Sequence, residues 1–380
     1  MLLFRKGIMI AKKSIKFLVV LFALTTSLSV FANGDDNKNQ HPEGNQVDTP
    51  EEIKEYIAHH LKDSHDFHFY TDNESGKHYG FPLPVIVWTS KGLRTFMSSE
   101  FHHDDAGHVV VEKDGVKLTK IHSKIYELDA DANEVQFDEA HHATNATKVL
   151  DFSITKSVLG MLLTGLLMLL GFGALARGYK KGHVPTGIGR VLEPLVIYVR
   201  DEIARPNIGE KKYRKFMGFL LTVFFFVWIL NLLGLTPLGF NVTGQIAVTA
   251  CLAIFTMLIY LFSGSKDFWA HTLWMPGVPV ILRPILAVIE LVGFVLIKPF
   301  SLLVRLFANI TAGHFVVMSL IALMITMKQS FGPVASTGMS LVLSLFIMVI
   351  ELLVAFLQAF IFTMLSSLFI GMAVEEHEHH

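Results

Sequence analysis

The residues best placed to do chemistry are a few polar side chains inside two long apolar runs near the C-terminus. An ionised group at the centre of a bilayer costs about 2.5–3.5 kcal/mol even on lenient insertion scales, so each one needs a partner or a function. Arg305 has no acidic residue near it in the sequence, and a guanidinium does not release its proton. We therefore expect a fixed positive charge whose partner comes from another helix or another chain.

Helical geometry distributes these polar residues over defined faces. Asn309 lies one turn after Arg305 and shares its face, whereas His314, nine residues on at about 100° per residue, lies on the opposite face. On the last apolar run, Glu351 and Gln358 are seven residues apart and share a face. One helix thus presents polar groups to two compartments.

An antiparallel hairpin of the two runs brings these residues together in pairs. One register places Arg305 opposite Gln358. The same register places His314 opposite Glu351, with a mismatch of about one residue on each helix, a rise of about 1.5 Å. An imidazole titrates near neutrality and responds to a neighbouring carboxylate, so the second pair is suited to passing protons.

The sequence around these positions resembles the signature of the a subunits of F-type ATP synthases, the membrane proton-channel stator subunits of the Fo sector. The matching runs are RLFANITAGH at 305–314, LQAFIF at 357–362 and, at the end of an earlier span, NLLGLTP at 231–237. The similarity extends from about residue 151 to 376. It implies that the chain works with a c-subunit ring, a b-subunit peripheral stalk and the remainder of the synthase.

The resemblance also implies roles for the matching residues. Arg305 faces the carboxylate of the rotating c ring. The half-channel open to the outside is lined by Asn309, His314, Glu351 and Gln358. Family members carry the acid and the imidazole on these two helices in either order, and this chain has the imidazole on the first helix.

Two further residues are candidates for the proton path. Glu290 precedes Pro299 by nine residues, one more than the family spacing, but an acid in a membrane run is functional by default. Asn231 lies in the third matching run, where a purely helix-bonding amide is the alternative interpretation. We interpret Lys298 as a snorkelling or structural cation.

The elements that must position these residues are apolar spans. The chain is 52% hydrophobic and 17% charged, and the apolar runs lie near 153–175, 216–236, 243–263, 279–327 and 334–373. The first three fit the roughly 20 residues that cross a bilayer. The last two are about twice as long and must tilt, bend or break at Pro284 or Pro299. We predict an all-α polytopic membrane protein of about five spans, with two long tilted C-terminal helices in a hairpin.

The N-terminus predicts export. Residues 1–32 have basic residues, an apolar stretch and a small residue before a polar run, as in a signal peptide, although a retained membrane anchor is the alternative and Met9 is a second possible start. Residues 33–150 contain 22 acidic and 11 basic residues, whereas 176–216 contain 4 and 10. Loops rich in Lys and Arg lie on the cytoplasmic side of a membrane, which places 176–216 in the cytoplasm. We therefore expect a periplasmic N-terminal region and a cytoplasmic C-terminus in the bacterial inner membrane.

Residues 33–150 predict a small α+β or partly disordered region, distinct from the membrane domain at 151–380. TPEE at 49–52 is typical of a capped helix start. Asp114 and Gly115 form the strongest hairpin signal in the chain, between β-rich arms. The twelve histidines between 41 and 142 raise a metal-binding interpretation, but their spacing matches no fixed metal site. Cys251 is the only cysteine, so cysteine clusters are excluded.

Other functional classes fit the sequence less well. It contains no glycine-rich phosphate loop and no nucleophile constellation, so we expect neither catalysis nor a bound cofactor, metal or nucleic acid. A self-contained proton-coupled secondary transporter is the chief alternative, but it predicts an internal repeat that the sequence lacks. An anchored sensor would not need five spans with polar residues at defined positions.

Overall fold

The chain has a β-rich part that leads into a set of apolar helices. The computed structural model describes residues 63–72, 77–102, 104–129, 131–138, 143–180, 187–236, 240–274 and 277–375. The predicted signal peptide, the predicted helix after TPEE and the last five residues lie outside the described residues.

Short antiparallel strands build the β-rich part. They form three separate sheets: a hairpin of β1 and β2, a three-stranded sheet in the order β4-β3-β9, and a four-stranded sheet in the order β5-β6-β7-β8. Asp114 and Gly115 connect β5 to β6 with φ angles of 49° and 74°, as a type I′ turn requires, so the predicted hairpin is confirmed. The strands are β1 (Asp66–Asp72), β2 (Lys77–Pro82), β3 (Pro84–Thr89), β4 (Gly92–Met97), β5 (Ala106–Lys113), β6 (Val116–Ile121), β7 (Lys124–Leu128), β8 (Ala146–Lys148) and β9 (Leu150–Asp151).

Polar contacts join this β-rich part to the start of the first helix. The Asp63 carboxylate accepts a hydrogen bond from the backbone N–H of Ser157 at 2.9 Å, in the first turn of that helix. Nε2 of the buried His65 donates to the Asp151 carboxylate at 2.7 Å. Burial opposes ionisation of Asp151, but the hydrogen bonds from His65 and Ser153 outweigh it and lower the pKa of this carboxyl below its ordinary value.

The helices follow the predicted apolar runs. In the described part of the chain, four helices are long and apolar enough to cross a membrane, and a fifth span results if the pair bent by 100° after Phe262 counts as one. This agrees with the prediction of about five spans. The helices are α1 (Lys156–Lys180), α2 (Gly189–Tyr198), α3 (Arg205–Ile208), α4 (Tyr213–Gly234), α5 (Ile246–Phe262), α6 (Lys266–Leu273), α7 (Arg283–Val292), α8 (Lys298–Phe331) and α9 (Pro333–Val374).

The two longest helices form the predicted antiparallel hairpin. Gly332, with a φ of 77°, separates α8 from α9, and Pro333 occupies the first turn of α9, where its missing N–H is tolerated. At about 1.5 Å per residue, the 42 residues of α9 extend about 63 Å, twice the thickness of the hydrocarbon core. The preceding long run is one continuous helix from Arg283 onward, and its irregularity is a π-helical segment at Gly293–Ile297, just before Pro299.

One helical segment was not predicted from the sequence. Helices α2 and α3 are continuous through a π-helical segment at Val199–Ala204, and this segment packs against the second half of α9. The hydroxyl of Ser367 donates to the carbonyl of Ile203 at 2.9 Å. A Cβ at Gly371 would overlap the carbonyl of Asn207, so the glycine permits a close approach there.

The contact between His65 and Asp151 predicts a pH-dependent local stability. Because the pKa of Asp151 is lowered, its ionised form stabilises the fold at pH values above about 4, and this stabilisation is lost as the pH falls through the lowered pKa. At pH 7 we expect Asp151→Asn to reduce the free energy of local opening by about 1–2 kcal/mol, and in strong acid we expect little difference. Hydrogen–deuterium exchange of residues 63–72 and 143–151 measures this.

The matched control is Asp131→Asn, because Asp131 is exposed. It should leave exchange unchanged at both pH values. Equal protection of the Asp151→Asn variant and the unmodified chain at pH 7 would contradict a stabilising contact.

Candidate functional site

The register of α8 against α9 brings a carboxylate into the helix interface. A Cβ built on Gly313 would overlap the carboxylate of Glu351, so these two positions face each other. This agrees with the register expected from the sequence, which places position 314 opposite Glu351. The side chain of His314 itself lies outside the described residues.

A second contact connects this interface to α4. The side chain of Asn231, which is 3% exposed, donates to the backbone carbonyl of Ala355 on α9 at 3.4 Å. Its Oδ1 accepts a hydrogen bond of 2.9 Å from the hydroxyl of Thr243, in the connection between α4 and α5. Ala355 lies one turn after Glu351, so Asn231 and Thr243 contact the side of α9 that also carries Glu351 and Gln358.

These groups surround a small pocket. Its volume is about 10 Å³, close to the smallest cavity that holds one water molecule. Glu351 is partly buried beside it, and Gln358, 2% exposed, lies two turns further along α9. The lining residues are Leu230, Asn231, Gly234, Leu235, Phe240, Thr243, Ile310, Glu351 and Ala355.

Arg305 and Asn309 lie on a different face of α8. Both are exposed, whereas Leu302 and Leu306 are buried against the other helices. Among the side chains that the structure describes, none forms an ion pair with Arg305. An arginine within a membrane-spanning helix requires a compensating group, and this face is open to receive one from another chain.

The structure therefore brings some of the predicted residues together and separates others. It groups Asn231, Glu351 and Gln358 along one side of α9. Arg305 lies opposite Gln358 in the observed register, but it is on the exposed face of α8. Glu290 is partly buried on α7, before the π-helical segment.

Sequence reasoning missed several residues of this site. Thr243 and Phe240 lie in a loop, and their types and spacing gave no signal; the buried Asn231 could have indicated a hydroxyl partner, but not which one. Phe240 also contacts the β-rich part, with its ring centroid 5.3 Å from that of Phe67. In the described ranges, no group of three or more His, Cys, Asp or Glu residues is arranged to hold a metal ion.

Comparison with known proteins identifies the family of the helical part. Residues 158–371 match the family model described as ATP synthase A chain. Residues 56–152 match a separate family described as Domain of unknown function (DUF8433).

Individual relatives agree with the family match. ATP synthase subunit a of Chloroherpeton thalassium is 39% identical over 318 residues, covering 78% of this chain and 91% of the relative. The subunit a of Chlorobium phaeobacteroides is 43% identical over 245 residues, covering 60% and 68%. That of Pelodictyon phaeoclathratiforme is 44% identical over 243 residues, covering 61% and 69%. The chain belongs to the ATP synthase A chain family and is a multi-pass membrane subunit of an ATP synthase.

Proposed function

We propose that this subunit moves protons between two compartments through two half-channels that meet at Arg305, and that it performs no covalent chemistry itself. The observation that carries this proposal is the exposed Arg305 on a spanning helix, which has no ion-pair partner among the described residues and lies opposite the polar residues of α9. A fixed cation on an outward face is suited to attract a mobile carboxylate. The partner is the carboxylate of a c-subunit ring, with a b-subunit stalk holding the stator in place.

The inlet lies along the polar face of α9. A proton enters from the outside past Asn231, reaches Glu351 and His314, and passes Gln358 to the ring carboxylate. The neutral carboxyl then enters the lipid at a much lower cost than the ionised form would. Asn309, one turn from Arg305, borders the place of transfer.

The outlet lies on the other side of Arg305. After nearly a full turn of the ring, the carboxyl meets a path lined by Glu290, loses its proton toward the cytoplasm and is attracted to Arg305. One charge moved through 100 mV supplies about 2.3 kcal/mol, so several protons are needed for each ATP.

The orientation follows from the charge distribution. We propose that residues 1–32 are a signal peptide, that 33–150 are periplasmic and that 151–380 form the domain in the bacterial inner membrane. The basic segment between α1 and α4 is then cytoplasmic, as is the C-terminus.

Substitution of Arg305 tests the stator charge. In inverted vesicles containing the assembled synthase, we expect Arg305→Ala to abolish ATP-driven proton pumping, because the ring carboxylate loses its counter-charge. Passive proton leak is recorded in the same vesicles. Arg177→Ala, at the exposed end of α1, is the matched control and should pump normally. Coupled pumping that is unchanged in an assembled Arg305→Ala complex would refute the assignment.

Enlarging Gly313 tests the position of the Glu351 carboxylate. Gly313→Ala should lower coupled pumping by about tenfold, because displacing a reacting group by about 1 Å has effects of this size or larger. Combining it with Glu351→Asp shortens the acid and should restore part of the loss. Gly218→Ala, with open space around its Cβ, is the control. Normal pumping by Gly313→Ala would show that the carboxylate does not need this position.

Cysteine labelling tests the orientation. Cys251→Ser removes the only cysteine, and Asp131→Cys and Lys211→Cys each add one at an exposed position. In intact spheroplasts, a membrane-impermeant maleimide should label the cysteine at 131, and the one at 211 only after permeabilisation. The reverse pattern would invert the proposed topology.

A further inference from the structure

The π-helical segment at Gly293–Ile297 changes the alignment of three charged residues. A π turn contains one more residue than the α-helical path it replaces, so it offsets a one-residue insertion. Glu290 and Lys298 are eight residues apart. In a regular α-helix their side chains would point in directions about 80° apart around the helix axis. Because the π turn accommodates one additional residue, the angle between the two side-chain directions falls to about 20°.

The alignment continues to Arg305. Lys298 precedes Arg305 by seven residues. In an α-helix this separation places the two side chains about 20° apart around the axis. Glu290, Lys298 and Arg305 therefore follow one stripe, within an arc of about 40°.

The π segment leaves one backbone carbonyl without a helical donor. The N–H of Lys298 bonds to the carbonyl of Gly293, five residues earlier. The carbonyl of Phe294 thus loses its α-helical donor, and its next donor in π geometry would be Pro299, which has no N–H. A carbonyl in this position needs a bond from elsewhere, because no water is available inside a bilayer.

Tyr260 on α5 supplies this bond. Its side chain is 0% exposed, and its hydroxyl donates to the carbonyl of Phe294. The ring of Phe294 packs edge-on against Phe268 at 4.9 Å and lies 3.4 Å from the Nζ of Lys298. One residue of the π segment is therefore held by a hydrogen bond, an aromatic contact and a cation.

We propose that Tyr260 is a positioning residue that holds the Gly293–Ile297 π turn in place and thereby keeps Glu290 on the face of Lys298 and Arg305. This inference rests on the proposed function, because it assigns Tyr260 a role through the outlet residue Glu290. It concerns alignment along the helix and assigns no proton transfer to Tyr260 itself.

The experiment compares variants of the assembled synthase in inverted vesicles, with subunit composition checked for each. Tyr260→Phe keeps the ring and removes the hydroxyl, and should lower ATP-driven pumping by about tenfold. The same substitution in a Glu290→Gln background should cause little further loss, since Tyr260 acts through that carboxylate. Additive losses from the two substitutions, or normal pumping by Tyr260→Phe, would overturn the proposal.

Changes of length at the π turn test the register separately. Deleting Val295 converts the segment to α-helical spacing without rotating Glu290, so ATP-driven pumping should be retained. In this background, Tyr260→Phe should reduce pumping less than it does in the unmodified chain. Inserting one alanine after Val295 is the matched control, and should abolish pumping by rotating Glu290 about 100°. A deletion as harmful as the insertion would contradict the register argument.

Arg305→Ala in the same vesicle series separates the two hypotheses. If the synthase that carries Arg305→Ala pumps normally, the proposed function is wrong and the inference about Tyr260 is wrong with it. If Arg305→Ala does not pump but the Tyr260 and length variants behave contrary to expectation, only the role of the π turn is wrong.

Discussion

A polar group inside a bilayer has no water to bond, so every such group in the helical part must find a partner within the protein or face a neighbouring chain. Asn231 satisfies this constraint with Thr243 and the carbonyl of Ala355. The carbonyl of Phe294 satisfies it through Tyr260. Arg305 has no ion-pair partner within the described part of its own chain and lies on an exposed face.

The same constraint applies to the irregular backbone at Gly293–Ile297. The Gly293–Ile297 segment contacts α5 and α6 through the buried Phe294, whereas Val295, Leu296 and Ile297 are exposed. A π turn exposed to lipid would leave an unpaired carbonyl, whereas a buried one can be completed by a side chain. Local irregularity at Glu290 is thus stabilised by residues far away in the sequence.

The β-rich part is joined to the site as well as to the first helix. The stacked rings of Phe67 and Phe81 continue to Phe240, which lines the pocket beside Glu351 together with Thr243. Asp63 joins the same part to the first turn of α1, and Asp151 bonds to His65 within it. The loop that orients Asn231 is therefore packed between the helices and the strands rather than left to move independently.

The sequence by itself determined the spans, the hairpin of α8 and α9 with its register, and the Asp114-Gly115 turn, because hydrophobic periodicity and turn chemistry are properties of neighbouring residues. It also indicated Arg305 and Glu351, since charged residues in apolar runs are conspicuous. It did not indicate Thr243, Tyr260 or Phe240, whose types are ordinary in and around membrane helices. Only the tertiary structure decided their roles, because each depends on a contact with a residue from another element, and neither spacing nor composition encodes which buried donor reaches which acceptor.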